Sequence, residues 1–124
     1  MKNSRKKRHL SRLVVVSVAI FAVAALGAAR SLSGSVRIVN NSNREISNVY
    51  FSHVDADDWG SDQLGENNIA AGQSYTISNI TWDQQQLKVI GEDQDGCFLS
   101  TVVASGSDST WTITNDTAAD CGGN

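Results

Sequence analysis

Beyond residue 34 the chain is a succession of short runs rich in β-branched and aromatic residues, each closed by Gly, Asp, Asn or Ser. None of them spaces its apolar residues at the 3.6-residue period of a helix. Six runs qualify as strands: residues 35–40, 46–52, 73–77, 86–92, 97–104 and 109–115. In the last, Trp111 and Ile113 alternate with Thr110, Thr112 and Thr114, the signature of a strand buried on one face, which assigns Trp111 to the core. The Asn-Ser-Asn of residues 41–43 predicts a hairpin between the first two strands. Asp95-Gly96 predicts another between the fourth and fifth, because Gly accepts the positive φ of a tight turn. The chain has no proline, so edge strands must be guarded by charge or loops. The expected fold is all-β, a small antiparallel β-sandwich of about six strands.

The first 29 residues read differently. Lys2, Arg5, Lys6, Lys7 and Arg8 precede an apolar run over residues 13–26, which ends at Gly27, Ala28 and Ala29. Cations, a short apolar helix and small residues are the three parts of a secretory signal peptide. The run falls short of the roughly 20 residues that span a bilayer, which favours cleavage, here before Arg30. The domain plan is a signal peptide over 1–29 and a single domain over 30–124. A secreted or periplasmic protein follows, with no membrane attachment after cleavage.

Removing the leader changes the charge. The whole chain has 10 Lys and Arg against 13 Asp and Glu, but residues 31–124 keep only Arg37, Arg44 and Lys88 against all 13 acids, a net charge of −10. Phosphate backbones and anionic lipid surfaces repel such a domain, which argues against nucleic acid as a partner. The same charge favours a soluble monomer. Cys97 and Cys121 are the only cysteines, and an even pair in an exported domain predicts one disulfide. Closing that loop of 25 residues removes roughly 3 to 4 kcal/mol of denatured-chain entropy.

Four segments carry a resemblance. Val36-x-Ile38-Val39-Asn40-Asn41-Ser42, Ile46-x-x-Val49-Tyr50-x-Ser52, Trp59-Gly60-x-Asp62-x-Leu64-Gly65 and Ile69-x-x-Gly72-x-Ser74 occur in that order, followed by Glu92-Asp93-x-Asp95-Gly96. Over about residues 36–96 the chain resembles a family of small secreted bacterial proteins of uncharacterised function with the Trp-Gly-x-Asp-x-Leu-Gly motif. The resemblance implies a fold and a compartment, and no chemistry.

The acidic loops and the tryptophans are the candidate sites. Asp55, Asp57 and Asp58, with Asp93 and Asp95, supply oxygen ligands for a possible Ca²⁺, although no EF-hand spacing links them. In the alternative, Asp55 or Asp58 caps backbone amides while Trp59 and Leu64 plug one end of the sandwich. Trp59, Asp62 and Trp82 are the candidates for ligand binding, because flat aromatic faces stack on sugar rings while carboxylates bond the hydroxyls. Trp82, in a polar setting, is the tryptophan expected to be most exposed. His53 is the only histidine after the leader, and no nucleophile elbow, free thiol–His pair or phosphate-cradling loop accompanies it. No catalytic residue and no cofactor is assigned. The expectation is a non-enzymatic interaction or structural protein whose partner is an unknown extracytoplasmic protein or polysaccharide, with a carbohydrate- or calcium-binding module as the alternative.

Overall fold

A computed structural model describes residues 33–122; the signal peptide expected over residues 1–29 and the cleavage expected before Arg30 lie outside the described residues. Six strands form: β1 (Gly34–Asn41), β2 (Ile46–Ser52), β3 (Ser74–Ile80), β4 (Gln86–Asp93), β5 (Phe98–Ala104) and β6 (Asp108–Thr114). They make two three-stranded sheets, ordered β3-β1-β6 and β2-β4-β5. Three ladders are antiparallel, and β1 pairs with β6 in parallel. No helix occurs among the described residues.

Alternation explains how the sheets meet. Val36 and Ile38 of β1, Ile77 of β3, and Trp111 and Ile113 of β6 turn inward from one sheet. Val49, Phe51, Leu87, Val89 and Leu99 do so from the other, and all are buried. Trp111 is in the core as expected, its ring close to where a Cβ on Gly91 would sit. Fully burying an aliphatic side chain of this kind contributes roughly 1.5–3 kcal/mol, so this interface is the main source of stability.

The expected β1–β2 hairpin does not form: the two strands lie in different sheets. The cause is Asn40, which points into the core and is fully buried. Its amide nitrogen donates to the Arg44 carbonyl at 2.8 Å and the Ile69 carbonyl at 3.0 Å, while its oxygen accepts the Ser42 hydroxyl at 2.6 Å. A buried amide keeps all its bonds only if residues 41–45 arch from one sheet to the other. The β4–β5 hairpin does form, with Gly96 at φ 81°.

Cys97 and Cys121 are joined, and among the described residues no cysteine is free. The bond holds the C-terminal segment against β5, where Phe98 and Asp120 form a bridge. A disulfide of this kind is consistent with an oxidising, extracytoplasmic location. Among the described residues no helix is long and apolar enough to cross a membrane.

Candidate functional site

The long segment between β2 and β3 shapes the surface. It runs back along the outer edge of β2: Gly60 N–H donates to the Phe51 carbonyl at 3.1 Å, Gln63 N–H to the Val49 carbonyl at 2.6 Å, and Ile46 and Ile69 exchange backbone bonds. Asp62 completes the seal. One carboxylate oxygen accepts Val49 N–H at 2.9 Å and Leu64 N–H at 3.0 Å, and the other accepts the Asn48 amide at 2.9 Å. The Trp-Gly-x-Asp-x-Leu-Gly stretch is thus an edge cap, its Leu64 sunk into the core.

Capping the edge leaves Trp59 outside. Tyr50, Ile90 and Phe98 occupy outward positions on neighbouring strands of the β2-β4-β5 sheet. The Trp59 ring lies 5.5 Å from that of Tyr50 and 5.1 Å, edge-on, from that of Phe98. Reaching rings on both β2 and β5 places the indole across β4, over Ile90, which is 1% exposed although it faces away from the core. Trp59 itself stays 39% exposed and Val102 of β5 45%. The Tyr50 hydroxyl donates to Glu92 at 3.2 Å. Burial and the Glu92 carboxylate push its pKa up.

This corrects the expected placement of the tryptophans. Trp59 does not plug an end of the sandwich: it covers an outer face. Trp82 is the more enclosed of the two, packed against the core with its indole N–H on the Gln86 carbonyl at 3.1 Å and its ring edge-on to Phe51 at 6.3 Å. The polar residues around Trp82 hid this, because a side chain at a loop can turn back under the sheet end.

A second cluster sits beside Trp82. The His53 ring lies 4.6 Å from the Trp82 ring, its Nδ1 bonds Asp58, and its Nε2 bonds Asp83 at 2.7 Å. Asp58 also accepts the Ser52 hydroxyl and His53 N–H, each at 3.0 Å. The bonds to Asp83 and then Asp58 raise the His53 pKa. The His53 N–H and imidazole together hold Asp58 at about 2. Bonds from His53 also lower Asp83. The His53 ring bonds a carboxylate through each nitrogen and so ties the loop after β2 to the loop before β4, with Trp82 beneath it; when the ring is protonated both nitrogens donate and Trp82 offers a cation–π face.

The remaining acids divide. Asp93 is buried at the start of the β4–β5 turn, where it accepts Asp95 N–H and Cys97 N–H, each at 2.9 Å, and pairs with Arg44 at 2.8 Å. Asp55, Asp57 and Asp95 are exposed. Asp93 pairs with Ile46 at one end of β2, whereas residues 55–58 follow its other end, roughly 20 Å away at the rise of a strand. The five carboxylates suggested for Ca²⁺ are therefore not brought together, and Asp93 already faces a cation. Sequence reading also passed over Tyr50, Phe98 and Val102 as surface residues; their outward alternation was the available signal.

Fold and surface together define a disulfide-closed, two-sheet β-sandwich with an aromatic outer face. No protein-family model and no curated protein matches the chain. Among solved structures it is similar to a protein from Eubacterium rectale known by NMR, at 21% identity and a TM-score of 0.49, over 71% of this chain and 82% of that one.

Proposed function

We propose that the chain is an exported, non-enzymatic interaction protein that binds its partner through the aromatic face of the β2-β4-β5 sheet. The observation that carries the reading is Trp59, an indole left 39% exposed on top of two further rings. A soluble domain gains nothing in solubility from such a patch, and clustered exposed aromatics are the usual anchors of binding surfaces. Export is supported by the leader-like first 29 residues, the disulfide and the resemblance to small secreted bacterial proteins. The polar fringe of Asn48, Asp62 and Glu92 beside the indole favours a polysaccharide as the second reading.

The test compares the native chain with Trp59→Ala and Trp82→Phe for retention on immobilised extracellular polysaccharides and on envelope proteins. Trp59→Ala is expected to lower retention at least tenfold and Trp82→Phe to preserve it. Equal retention by all three chains, with unchanged circular dichroism, refutes the reading.

A further inference from the structure

The sheet edges are treated unequally. The edge of β2 is sealed by residues 60–69, and β3 is bent near Asn79, where a bulge coincides with a φ of 58°. The edge of β5 is open. Asp93 N–H donates to the Cys97 carbonyl and Ser105 N–H to the Gln85 carbonyl, so odd-numbered residues from 97 to 105 turn their peptide groups toward β4 and even-numbered ones turn outward. Phe98 exchanges both outward bonds with Asp120, at 2.7 and 2.8 Å. Past it, the N–H and C=O of Ser100 and Val102 and the N–H of Ala104 have no partner among the described residues. The β5 sequence holds no charge, and its ladder with β4 has no irregularity. Long, uncharged, regular edges invite another strand, and proteins ordinarily block them.

Side chains and charge indicate what would pair there. A strand added beyond β5 lays alternate side chains next to Phe98 and Val102 on the outer face. Asp120 stands at one end of the open segment, beside Phe98, with one carboxylate oxygen on Gly122 N–H. Past the other end the chain turns into β6 at Asp108, four residues after Ala104, with one carboxylate oxygen on the Ser35 hydroxyl of β1 and the other without a hydrogen-bond partner among the described residues. Lys88, opposite Val102 in the ladder, is the cation nearest the centre. The pattern suits a segment with an apolar middle and basic ends. The domain's net charge of −10 opposes a second copy in the same place.

We propose that the open edge of β5, from Ser100 to Ala104, docks an extended, basic-ended peptide segment of a partner protein as a fourth strand of the sheet. Backbone bonds to Ser100 and Val102 supply the attachment, Val102 and Phe98 the apolar contacts, and Asp108 and Asp120 the preference for Lys or Arg at both ends.

The probe is a capped seven-residue peptide of alternating Val and Thr with Lys at each end, added to the ¹⁵N-labelled full chain. Amide exchange at Ser100, Val102 and Ala104 is expected to slow at least tenfold, while Leu99, Thr101 and Val103 are unchanged. Val102→Pro removes the central outward N–H and abolishes the effect. Val102→Lys, which keeps the backbone intact, weakens binding of the probe at least tenfold. Unchanged exchange at millimolar probe overturns the proposal, as does equal protection by a Glu-ended peptide. Protection that grows with protein concentration and without the probe also overturns it, since a second copy is then the occupant. Retention through Trp59 is measured on the same samples, so a failure at the edge is told apart from a failure of the aromatic face.

Discussion

Asp93→Ala is the substitution that most directly tests how this sandwich is held at the β4–β5 turn. The Asp93 side chain is 2% exposed, and its carboxylate serves three donors: the Asp95 and Cys97 amides and the Arg44 guanidinium. Arg44 is 23% exposed, and its Nε has no hydrogen-bond partner. Removing the anion leaves that guanidinium uncompensated and two turn amides without an acceptor. Breaking a buried pair costs about 3–5 kcal/mol, and the partial exposure of Arg44 places this one near 3 kcal/mol. At 0.05–0.15 kcal/mol per residue a domain of about 90 residues is stable by roughly 5–13 kcal/mol, so the loss is about a quarter to three-fifths of the total. The melting midpoint falls by about 12 °C or more. Urea unfolding, followed by the combined fluorescence of Trp59, Trp82 and Trp111 with the disulfide kept oxidised, measures the change at constant slope. A cost below about 1 kcal/mol would refute the argument. Asp93→Asn separates charge from shape, because it keeps an acceptor for the two amides. Burial raises the Asp93 pKa, but the bonds from Cys97, Arg44 and Asp95 outweigh it and the net shift is downward. A lowered folded pKa contributes stability above the unfolded value of 3.8 that is lost as pH falls through the folded value. The gap between the native chain and Asp93→Asn therefore narrows below pH 3.8.

Three further outcomes follow from other parts of the molecule. Replacing Cys97 and Cys121 by Ser removes a constraint on a loop of sequence separation 24 and lowers stability by roughly 3.5 kcal/mol in denaturant titrations; a loss under about 1 kcal/mol contradicts the loop-closure account. Gly34→Ala drives a methyl group into the Ser107 backbone, since the Cβ position overlaps Ser107 O and N. It is expected to cost about 1–3 kcal/mol by thermal melting, and a neutral result would mean that the β5–β6 turn moves aside freely. The imidazole of His53 is expected to titrate above 6.5 when followed by NMR, and Asp83→Asn is expected to lower that midpoint, because the Asp83 bond is the largest cause of the rise. The clamp between the loops is thus complete below 6.5 and released as pH climbs through the folded value; a midpoint at or below 6.5 refutes it.

Strand content was legible because alternation survives in a single sequence: Trp111 and Ile113 against three threonines, or Val36 and Ile38 against Arg37, leave little choice of face. Strand partnership was not. A hairpin and an arch between sheets have the same alternating arms and the same Asn-Ser-Asn connection. What separates them is whether Asn40 is solvated or buried, and that depends on the carbonyls of Arg44 and Ile69, the latter far along the chain. The parallel β1–β6 ladder is equally invisible locally, since it follows only from β5 and β6 falling in opposite sheets. Trp59 was misplaced for a related reason. Its position is set by Gly60 and Asp62 bonding the edge of β2, which tips the indole over the outer face.

The carboxylates show how composition alone misdirects a functional reading. Counted along the chain, 13 acids look like a supply of metal ligands or a solubility device. In the fold, Asp62 closes the β2 edge, Asp93 builds the β4–β5 turn and holds Arg44, and Asp58 with Asp83 grips His53. Each carboxylate accepts charge-assisted bonds from loop, turn and edge groups that the two sheets leave without a partner. These acids are spent on joining segments that the sheets do not join themselves. Asp108 and Asp120 differ: exposed, lightly bonded, and at the two ends of the unguarded stretch of β5. A structural account predicts that neutralising either leaves stability within about 0.5 kcal/mol, as at ordinary surface sites. The docking account adds that the double change to Asn weakens the Lys-ended peptide and not its uncharged analogue. If both peptides weaken equally, the carboxylates act on the shape of the edge and the electrostatic part of the argument fails.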